Sequence, residues 1–328
     1  MRQLATRGMS PAAGSSRAIC TSDESALFGA FVADLASRGR ARKTIDSYTS
    51  DWVGLCDWWI SSHESPFSVD VMGTETATAF KANLVAKGMT PATINRKLVF
   101  LKRYTDFARS KGSLPDAVAR EVRKLEAAPQ SPRKPRALSD IELRRFLKEI
   151  ETRAGVRDQA IIFTLLQTGL KVSELVGLRR EQVGLGARTG LIRLDDPKGR
   201  SRRVEVGPLA RKKLRSWFDE RGDHDGPIWD GERGSLTANA VQRLVRKYCA
   251  FANVKVSPQV LRHTFAEAFL AEFQGDLVGL ADVLGHECLE TTRLYLARHK
   301  QAEATNLEVS ERSVRVGVRP VALRGGRS

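Results

Sequence analysis

One tyrosine late in the chain and several cationic side chains have the types needed for chemistry on a phosphodiester. Tyr295 is a candidate nucleophile, because a phenol oxygen can displace an alcohol from phosphorus and keep the phosphate as an ester. Arg262 is a candidate for stabilising the pentacoordinate phosphate, since its planar guanidinium matches two phosphate oxygens. Fixed cations supply this stabilisation without a metal ion. These residue types are compatible with a reversible transesterification, but a lone tyrosine at helical spacing is more often a core or surface residue, so the surrounding motifs decide.

Motifs for other kinds of chemistry are missing from the sequence. The five histidines form no HExxH motif and no pair four residues apart. There is no GxxxxGK[ST] loop, no GxGxxG turn before a helix and no GxSxG elbow. The four cysteines form no CxxC pair, which argues against a structural zinc site or a disulfide framework and favours reduced thiols. We expect no metal and no cofactor.

Three short motifs follow one another in the second half of the chain. They are TGLKVSEL at residues 168–175, LRHTFA at residues 261–266, and LGH at residues 284–286 followed by Thr291, Thr292 and Tyr295. These motifs resemble the three signature boxes of the tyrosine recombinases, the phage integrase and Xer group. Residues 43–48 and 93–96 resemble the core-binding domain of the same family. The resemblance spans about residues 25–300, and three ordered boxes make it highly specific.

The resemblance implies an enzyme that cuts and rejoins DNA at specific sites. Tyr295 would form a 3′-phosphotyrosine bond and release a 5′ hydroxyl, while Arg262 would hold the phosphate. Lys198, in the turn of a predicted hairpin, would give a proton to the departing 5′ oxygen. His286 would donate to a nonbridging oxygen or orient the tyrosine. Glu174 would orient a neighbouring cation, and we expect His263 to be a buried structural histidine.

Two positions depart from the family pattern. Lys171 stands where the family has its first arginine, and Gln259 stands where it has a histidine three residues before Arg262. Lys171 keeps the charge but lacks the guanidinium fork, and Gln259 cannot exchange a proton near neutral pH. We expect a divergent but active enzyme. The alternatives are a weak or inactive DNA-binding relative, one half of a mixed recombinase pair, or a DNA-relaxing enzyme like the type IB topoisomerases.

The charge of the chain predicts a polyanionic partner. Its 328 residues include 54 Lys and Arg against 38 Asp and Glu, a formal charge of +16. The isoelectric point is about 10.1, and double-stranded DNA is the partner we expect. The side chains predicted to contact DNA are Arg42, Lys43, Arg96, Lys97, Arg103 and Arg203.

The spacing of apolar residues predicts a mainly α protein with a small β component. Residues 23–125 show helical spacing throughout and predict an all-α DNA-clamping domain. Residues 126–137 contain three prolines and no periodicity, which indicates a linker. Residues 138–300 predict an α+β catalytic domain, in which residues 190–206 alternate as a β-hairpin.

The two ends of the chain read as accessory segments. Residues 1–22 are rich in Arg and Ser, with no acid before Asp23, and predict a disordered basic arm, the alternative being an organellar transit peptide. Residues 301–328 are a candidate for docking on a neighbouring protomer. By resemblance, four protomers act on two DNA sites, each protomer as a copy of this chain or mixed with a related recombinase. We expect a cytoplasmic, nucleoid-associated protein without a membrane-spanning helix.

Overall fold

The structure is a computed structural model and describes residues 18–130, 135–195, 201–231 and 234–296. The chain divides into two compact units, residues 1–132 (unit 1) and residues 133–328 (unit 2). The boundary lies inside the 126–137 segment. Most of the predicted basic arm, all of the predicted C-terminal tail, and Lys198 lie outside the described residues.

Among its described residues, 18–130, unit 1 contains helices and an isolated bridge between Cys20 and Phe67. The α-helices in its described part are α1 (Ser22–Ser37), α2 (Arg42–His63), α3 (Thr74–Ala86), α4 (Pro91–Ser110) and α5 (Asp116–Lys124). Thr90 caps α4 by accepting from the amide of Thr93, and Pro91 is the first residue of the helix.

A buried carboxylate ties three parts of unit 1 together. Glu24 is 1% exposed and accepts from the Trp52 indole at 2.9 Å, the Tyr104 hydroxyl at 2.7 Å and the Val69 amide at 2.9 Å. Burial raises the pKa of Glu24, and these three donors oppose that rise. Phe28 stacks on Trp52 with ring centroids 4.3 Å apart. These contacts join α1, α2 and α4 around one aromatic core.

The described part of unit 2 contains helices, a three-stranded sheet and a separate two-stranded sheet. The helices in its described part are α6 (Asp140–Arg153), α7 (Val156–Thr168), α8 (Val172–Val176), α9 (Pro208–Arg221), α10 (Ala238–Ala252), α11 (Pro258–Glu272), α12 (Leu277–Leu284) and α13 (residues 289–296). A capping box begins α6, since the side chains of Ser139 and Glu142 each accept from the other's backbone amide. The strands are β1 (Val183–Leu185), β2 (Gly190–Asp195), β3 (Ser201–Glu205), β4 (Asp230–Gly231) and β5 (Gly234–Ser235).

The predicted hairpin is confirmed as part of an antiparallel sheet with the strand order β1-β2-β3. Its register pairs Leu194 with Arg202 and Arg193 with Arg203. Side chains of directly paired residues share a face. Leu194 is buried and Arg193 is exposed, so Arg202 lies on the inner face and Arg203 on the outer face. The prediction of a mainly α protein with a small β component is confirmed.

Local contacts fix the segments that carry the motif residues. Trp229 is fully buried and donates its indole N–H to the Leu175 carbonyl at 2.7 Å, which holds α8 in place. Gly169 ends α7 with a φ of +62°, and a Cβ there would lie 2.4 Å from the Phe265 ring. This position therefore needs glycine for both backbone and space. No helix in the described ranges is long and apolar enough to cross a membrane.

Candidate active site

Arg262 lies on α11 and is only 4% exposed. Its Nη1 donates to the Gly169 carbonyl at 2.5 Å and its Nη2 to the Leu284 carbonyl at 2.8 Å. Nη2 also lies 3.1 Å from His286 Nε2. Burial lowers the pKa of Arg262, but a guanidinium keeps its charge at neutral pH. Arg262 thus joins the ends of α7 and α12 and places a fixed positive charge between them.

The carboxyl end of α12 gathers three cations. Arg202 Nε donates to the Val283 carbonyl at 3.0 Å, Arg262 Nη2 to the Leu284 carbonyl, and Lys171 Nζ makes a long 3.5 Å contact with the Gly285 carbonyl. Helix C-termini attract cations because their last carbonyls carry partial negative charge. Three consecutive carbonyls therefore collect positive charge from β3, α11 and the start of α8.

His286 follows these carbonyls and is a neutral histidine. Arginine has no acceptor, so His286 Nε2 accepts from Arg262 and Nδ1 carries the proton, which it donates to Thr292 Oγ1 at 2.9 Å. Burial lowers the pKa of His286 to about 4, helped by the charges of Arg262, Lys171 and Arg202, with Glu174 opposing. At neutral pH it can donate a hydrogen bond but does not add charge.

We expect His286 to make the stability of unit 2 fall as the pH drops from about 6.5 to about 4. The ordinary pKa is 6.5 and the native one about 4, so only the unfolded state binds a proton in this range. Stability therefore rises with pH across it. His286→Asn should lose this part of the slope, and urea unfolding followed by hydrogen exchange in α11 measures it. Equal slopes in the two proteins would contradict the assignment.

Tyr295 lies on α13, 3% exposed, with its hydroxyl inside the site. The hydroxyl is 2.7 Å from His263 Nδ1, and the ring lies nearly parallel to that of His286, with centroids 6.4 Å apart. Burial raises the pKa of the Tyr295 phenol, and the Arg262 charge opposes that rise. Tyr295 therefore rests as a phenol in contact with an imidazole.

Gln259 lies one helical turn before His263 on α11. Its Nε2 is 3.2 Å from His263 Nε2, so Gln259, His263 and Tyr295 form a chain of hydrogen bonds. The expectation that His263 is a structural histidine missed this contact, although a spacing of four residues places residues 259 and 263 on one helix face. Tyr295 lies 32 residues after His263 in the sequence, and no sequence pattern predicts the contact between them.

Glu174 contacts two of the cations, but unequally. Its Oε2 accepts from Arg202 Nη2 at 2.8 Å and from the Lys171 backbone amide at 2.8 Å. The Lys171 ammonium is 3.8 Å from Oε1, and the Lys171 side chain is 48% exposed. Glu174 therefore orients Arg202 more closely than Lys171. Arg202 was not among the residues predicted from the sequence.

The side chains predicted to contact DNA are placed in three ways. Lys43, Arg103 and Arg203 are exposed, and Arg42 is exposed but ion-paired with Asp46 at 2.9 Å. Arg96 is exposed but paired with Asp51. Lys97 departs from the prediction of a DNA contact: its side chain is 11% exposed and its ammonium lies 2.9 Å from the fully buried Asp51. An ammonium held in this way is not free to meet a phosphate, so we leave Lys97 out of the DNA-contacting set. Within the described ranges, no cluster of three or more His, Cys, Asp or Glu could hold a metal ion.

The chain is similar to proteins of one known family. Residues 136–302 match the model of the phage integrase family. The chain is 30% identical over 258 residues to the tyrosine recombinase XerC of Xanthomonas campestris pv. campestris (strain B100), covering 77% of each protein. Among solved structures, it resembles the XerH recombinase bound to a palindromic difH substrate in a post-cleavage complex, with a TM-score of 0.64, 20% identity and coverage of 83% and 82%. It also resembles a lambda integrase tetramer bound to a Holliday junction, with a TM-score of 0.64, 17% identity and coverage of 83% and 76%. At these identities the two structures establish the shared fold.

Proposed function

The chain belongs to the phage integrase family and is a tyrosine-type site-specific DNA recombinase, and we propose that Tyr295 is the nucleophile with which it cuts and rejoins DNA. One observation carries the assignment of the nucleophile. The buried Tyr295 hydroxyl contacts an imidazole, and the Tyr295 ring faces that of His286, which directly follows the three carbonyls that gather the cations. By comparison, the Tyr248 hydroxyl is hydrogen-bonded to Asp158 at 2.9 Å. A phosphate drawn to the cations would therefore meet the oxygen of Tyr295.

The proposed reaction conserves the phosphodiester bond energy. The Tyr295 oxygen attacks phosphorus, the bond to the 5′ oxygen breaks, and a 3′-phosphotyrosine forms. The pentacoordinate phosphate gains negative charge, which Arg262 and Lys171 stabilise. His286, whose ring lies nearly parallel to that of Tyr295, helps to orient the tyrosine. Lys198, which lies outside the described residues, would give its proton to the departing 5′ oxygen. The free 5′ hydroxyl of a partner strand then reverses these steps.

His263 is the proposed acceptor of the phenol proton. The Gln259 amide can turn by 180° and exchange its donor for its acceptor. When its oxygen accepts from His263 Nε2–H, Nδ1 carries no proton and accepts from the Tyr295 hydroxyl. His263 can then take the proton as the phenol oxygen attacks. A histidine at residue 263 thus supplies the proton exchange that Gln259 cannot.

Exposed arginines of unit 1 are proposed to bind the DNA backbone, so affinity should depend steeply on salt. Each phosphate contact contributes about −0.9 to the slope of log affinity against log salt concentration. Arg42→Ala should weaken binding to every sequence and make the slope shallower by about one unit. Fluorescence anisotropy over a salt series measures this, with Arg120→Ala on α5 as a matched control. A slope near zero for the unchanged chain would remove DNA as the main partner.

The assembly is proposed from the family. A homotetramer would act on two specific DNA sites. The structure of lambda integrase bound to a Holliday junction, which has the same fold, contains such a tetramer. Residues 23–125 would clamp the duplex together with the catalytic residues 138–300, and residues 301–328, outside the described ranges, would dock on a neighbouring protomer. Such a protein would work in the cytoplasm on the nucleoid.

Strand exchange on a plasmid tests the proposed function. A site would first be selected from a pool of nicked duplexes with random inverted repeats, by recovering the DNA that becomes covalently attached to the protein. Two copies of the selected site would then be placed in a supercoiled plasmid. A recombinase inverts or deletes the segment between the sites. Relaxation without exchange would indicate a topoisomerase-like enzyme, and binding without a covalent product would indicate an inactive relative.

A further inference from the structure

We propose that Arg202, on β3, contacts the scissile phosphate and supplies the guanidinium that Lys171 does not. The proposal rests on the proposed function, because it adds a catalytic residue to the same site. It assigns to Arg202 the planar, two-pronged phosphate contact, and to Lys171 only a point charge beside it.

The position of Arg202 in the site is the first support. Its Nε donates to the Val283 carbonyl at 3.0 Å. The carbonyl of the next residue, Leu284, accepts from Arg262. The charge of Arg202 acts on both Arg262 and His286, since it helps to lower the pKa of each. Glu174, which pairs with Arg202 at 2.8 Å, offsets part of the repulsion between the two guanidinium groups, and an anion that joined both would offset more of it. A phosphate at this position would receive hydrogen bonds from both.

The donors that remain on Arg202 are the second support. Nε is used by Val283 and Nη2 by Glu174, while Nη1 has no hydrogen-bond partner among the described residues. The side chain is 19% exposed, so a ligand can reach it. Nη1 passes directly over Gly285, where a Cβ would lie 2.6 Å away. Gly285 thereby leaves room for a guanidinium as well as adopting its φ of +63°.

Lys171 cannot make the same contact. Its ammonium is 3.5 Å from the Gly285 carbonyl and 3.8 Å from Glu174, both long distances, and nearly half of its side chain is exposed. Glu174 lies 2.8 Å from Arg202 instead. The carboxylate next to residue 171 is therefore already occupied by a guanidinium from β3. An arginine at residue 171 would compete for it.

Single-turnover cleavage of the selected site tests the proposal. Arg202→Gln should lower the rate of covalent attachment at saturating DNA by about 10²- to 10³-fold, as loss of one charge-stabilising donor does. DNA affinity should stay within about threefold, because many phosphate contacts remain. Arg193→Gln, on the outer face of the same sheet, makes the same change of charge and should keep the wild-type rate. Arg202→Lys, which keeps the ion pair with Glu174, serves if Arg202→Gln does not fold.

A second substitution separates a catalytic role from a structural one. Lys171→Arg should do little in the unchanged chain, but in the Arg202→Gln or Arg202→Lys background it should restore the rate by about tenfold or more. If Arg202 only braces Glu174 and α12, Lys171→Arg will not restore the rate and the proposal is overturned.

The phosphate contact itself can be tested with a modified substrate. A methylphosphonate at the scissile position removes one charged nonbridging oxygen. If Arg202 contacts that oxygen in one of the two stereoisomers, the rate ratio between the unchanged chain and Arg202→Gln should shrink toward one on that isomer. A ratio that stays the same on both isomers would contradict the contact.

Binding of inorganic phosphate distinguishes failure of this inference from failure of the proposed function. Phosphate should raise the melting temperature of the full chain and of Arg193→Gln, and raise that of Arg202→Gln much less. If phosphate stabilisation depends on Arg202 but no DNA becomes attached, the anion site stands and the recombinase assignment fails. If DNA becomes attached and Arg202→Gln keeps both the rate and the phosphate effect, the recombinase assignment stands and the inference is wrong.

Discussion

Tyr295→Phe is expected to abolish covalent attachment to DNA while leaving duplex affinity within about twofold, because only the attacking oxygen is lost. The ring keeps its place against His286, and the deleted hydroxyl contacts His263 within the site. Gel analysis of denatured protein–DNA complexes measures attachment, and anisotropy measures affinity. Circular dichroism of the variant confirms that the helices are retained.

Tyr248→Phe is the matched control for this prediction. Tyr248 is fully buried on α10, and burial together with the hydrogen bond to Asp158 raises its pKa to about 12. Its hydroxyl is directed to a carboxylate and not to a cluster of cations. The variant should therefore attach to DNA at the wild-type rate. Attachment that persists in Tyr295→Phe and disappears in Tyr248→Phe would move the nucleophile to α10.

Asp51→Ala is expected to destabilise unit 1 by about 3–5 kcal/mol, since it leaves a buried cation without its partner. Asp51 is fully buried and accepts from Lys97 Nζ at 2.9 Å and from Arg96 Nη2 at 2.8 Å. The Lys97 side chain is only 11% exposed and cannot regain its hydration in place. Hydrogen exchange of the α2 and α4 amides measures the loss in unit 1 separately from unit 2.

Two further variants check the cause. Asp57→Ala removes an exposed carboxylate from the same helix and should change the stability by no more than about 0.5 kcal/mol. Adding Lys97→Met to Asp51→Ala should recover part of the loss, because the unpaired ammonium is then gone. If Asp51→Ala behaves like Asp57→Ala, the buried ion pair does not stabilise the bundle.

The sequence led directly to the residues that form the centre of the site. Arg262, His286 and Tyr295 were selected from motifs, and the structure brings them together through the Leu284 carbonyl and the ring contact of α13. The reason is local: each motif lies at the beginning or end of a helix, where glycines at residues 169 and 285 fix the backbone. Such positions are recognisable without a structure.

Two basic residues, Lys97 and Arg202, lie on the inner faces of their elements, which the sequence analysis did not predict. Lys97 is three residues after Ile94 and four before Leu101, so helical spacing places it on the buried stripe of α4. Arg202 alternates with Val204, so strand spacing places it on the inner face, while Arg203 lies on the other. Both placements follow from the spacing of the neighbouring apolar residues, although basic side chains are mostly exposed in folded proteins.

Other features depend on contacts that the sequence does not encode locally. The hydrogen bond between His263 and Tyr295 joins α11 to α13, and α12 separates these two helices in the sequence. The strand β1 has three residues, too few to show a period of two. The pairing of Arg202 with Glu174 spans 28 residues and depends on the register of the sheet. These contacts depend on the tertiary structure and cannot be predicted from local sequence patterns.

The most direct measurement is to identify the amino acid that carries the DNA. The unchanged chain would be trapped on nicked duplexes, from which the short strand with the 5′ hydroxyl diffuses away and prevents rejoining. After digestion with nuclease and trypsin, mass spectrometry would locate the remaining nucleotide. We predict a 3′-phosphotyrosine in the tryptic peptide of residues 294–298, which contains Tyr295 as its only tyrosine. A nucleotide on any other residue, Tyr248 included, or a covalent bond to a 5′ phosphate would contradict the account.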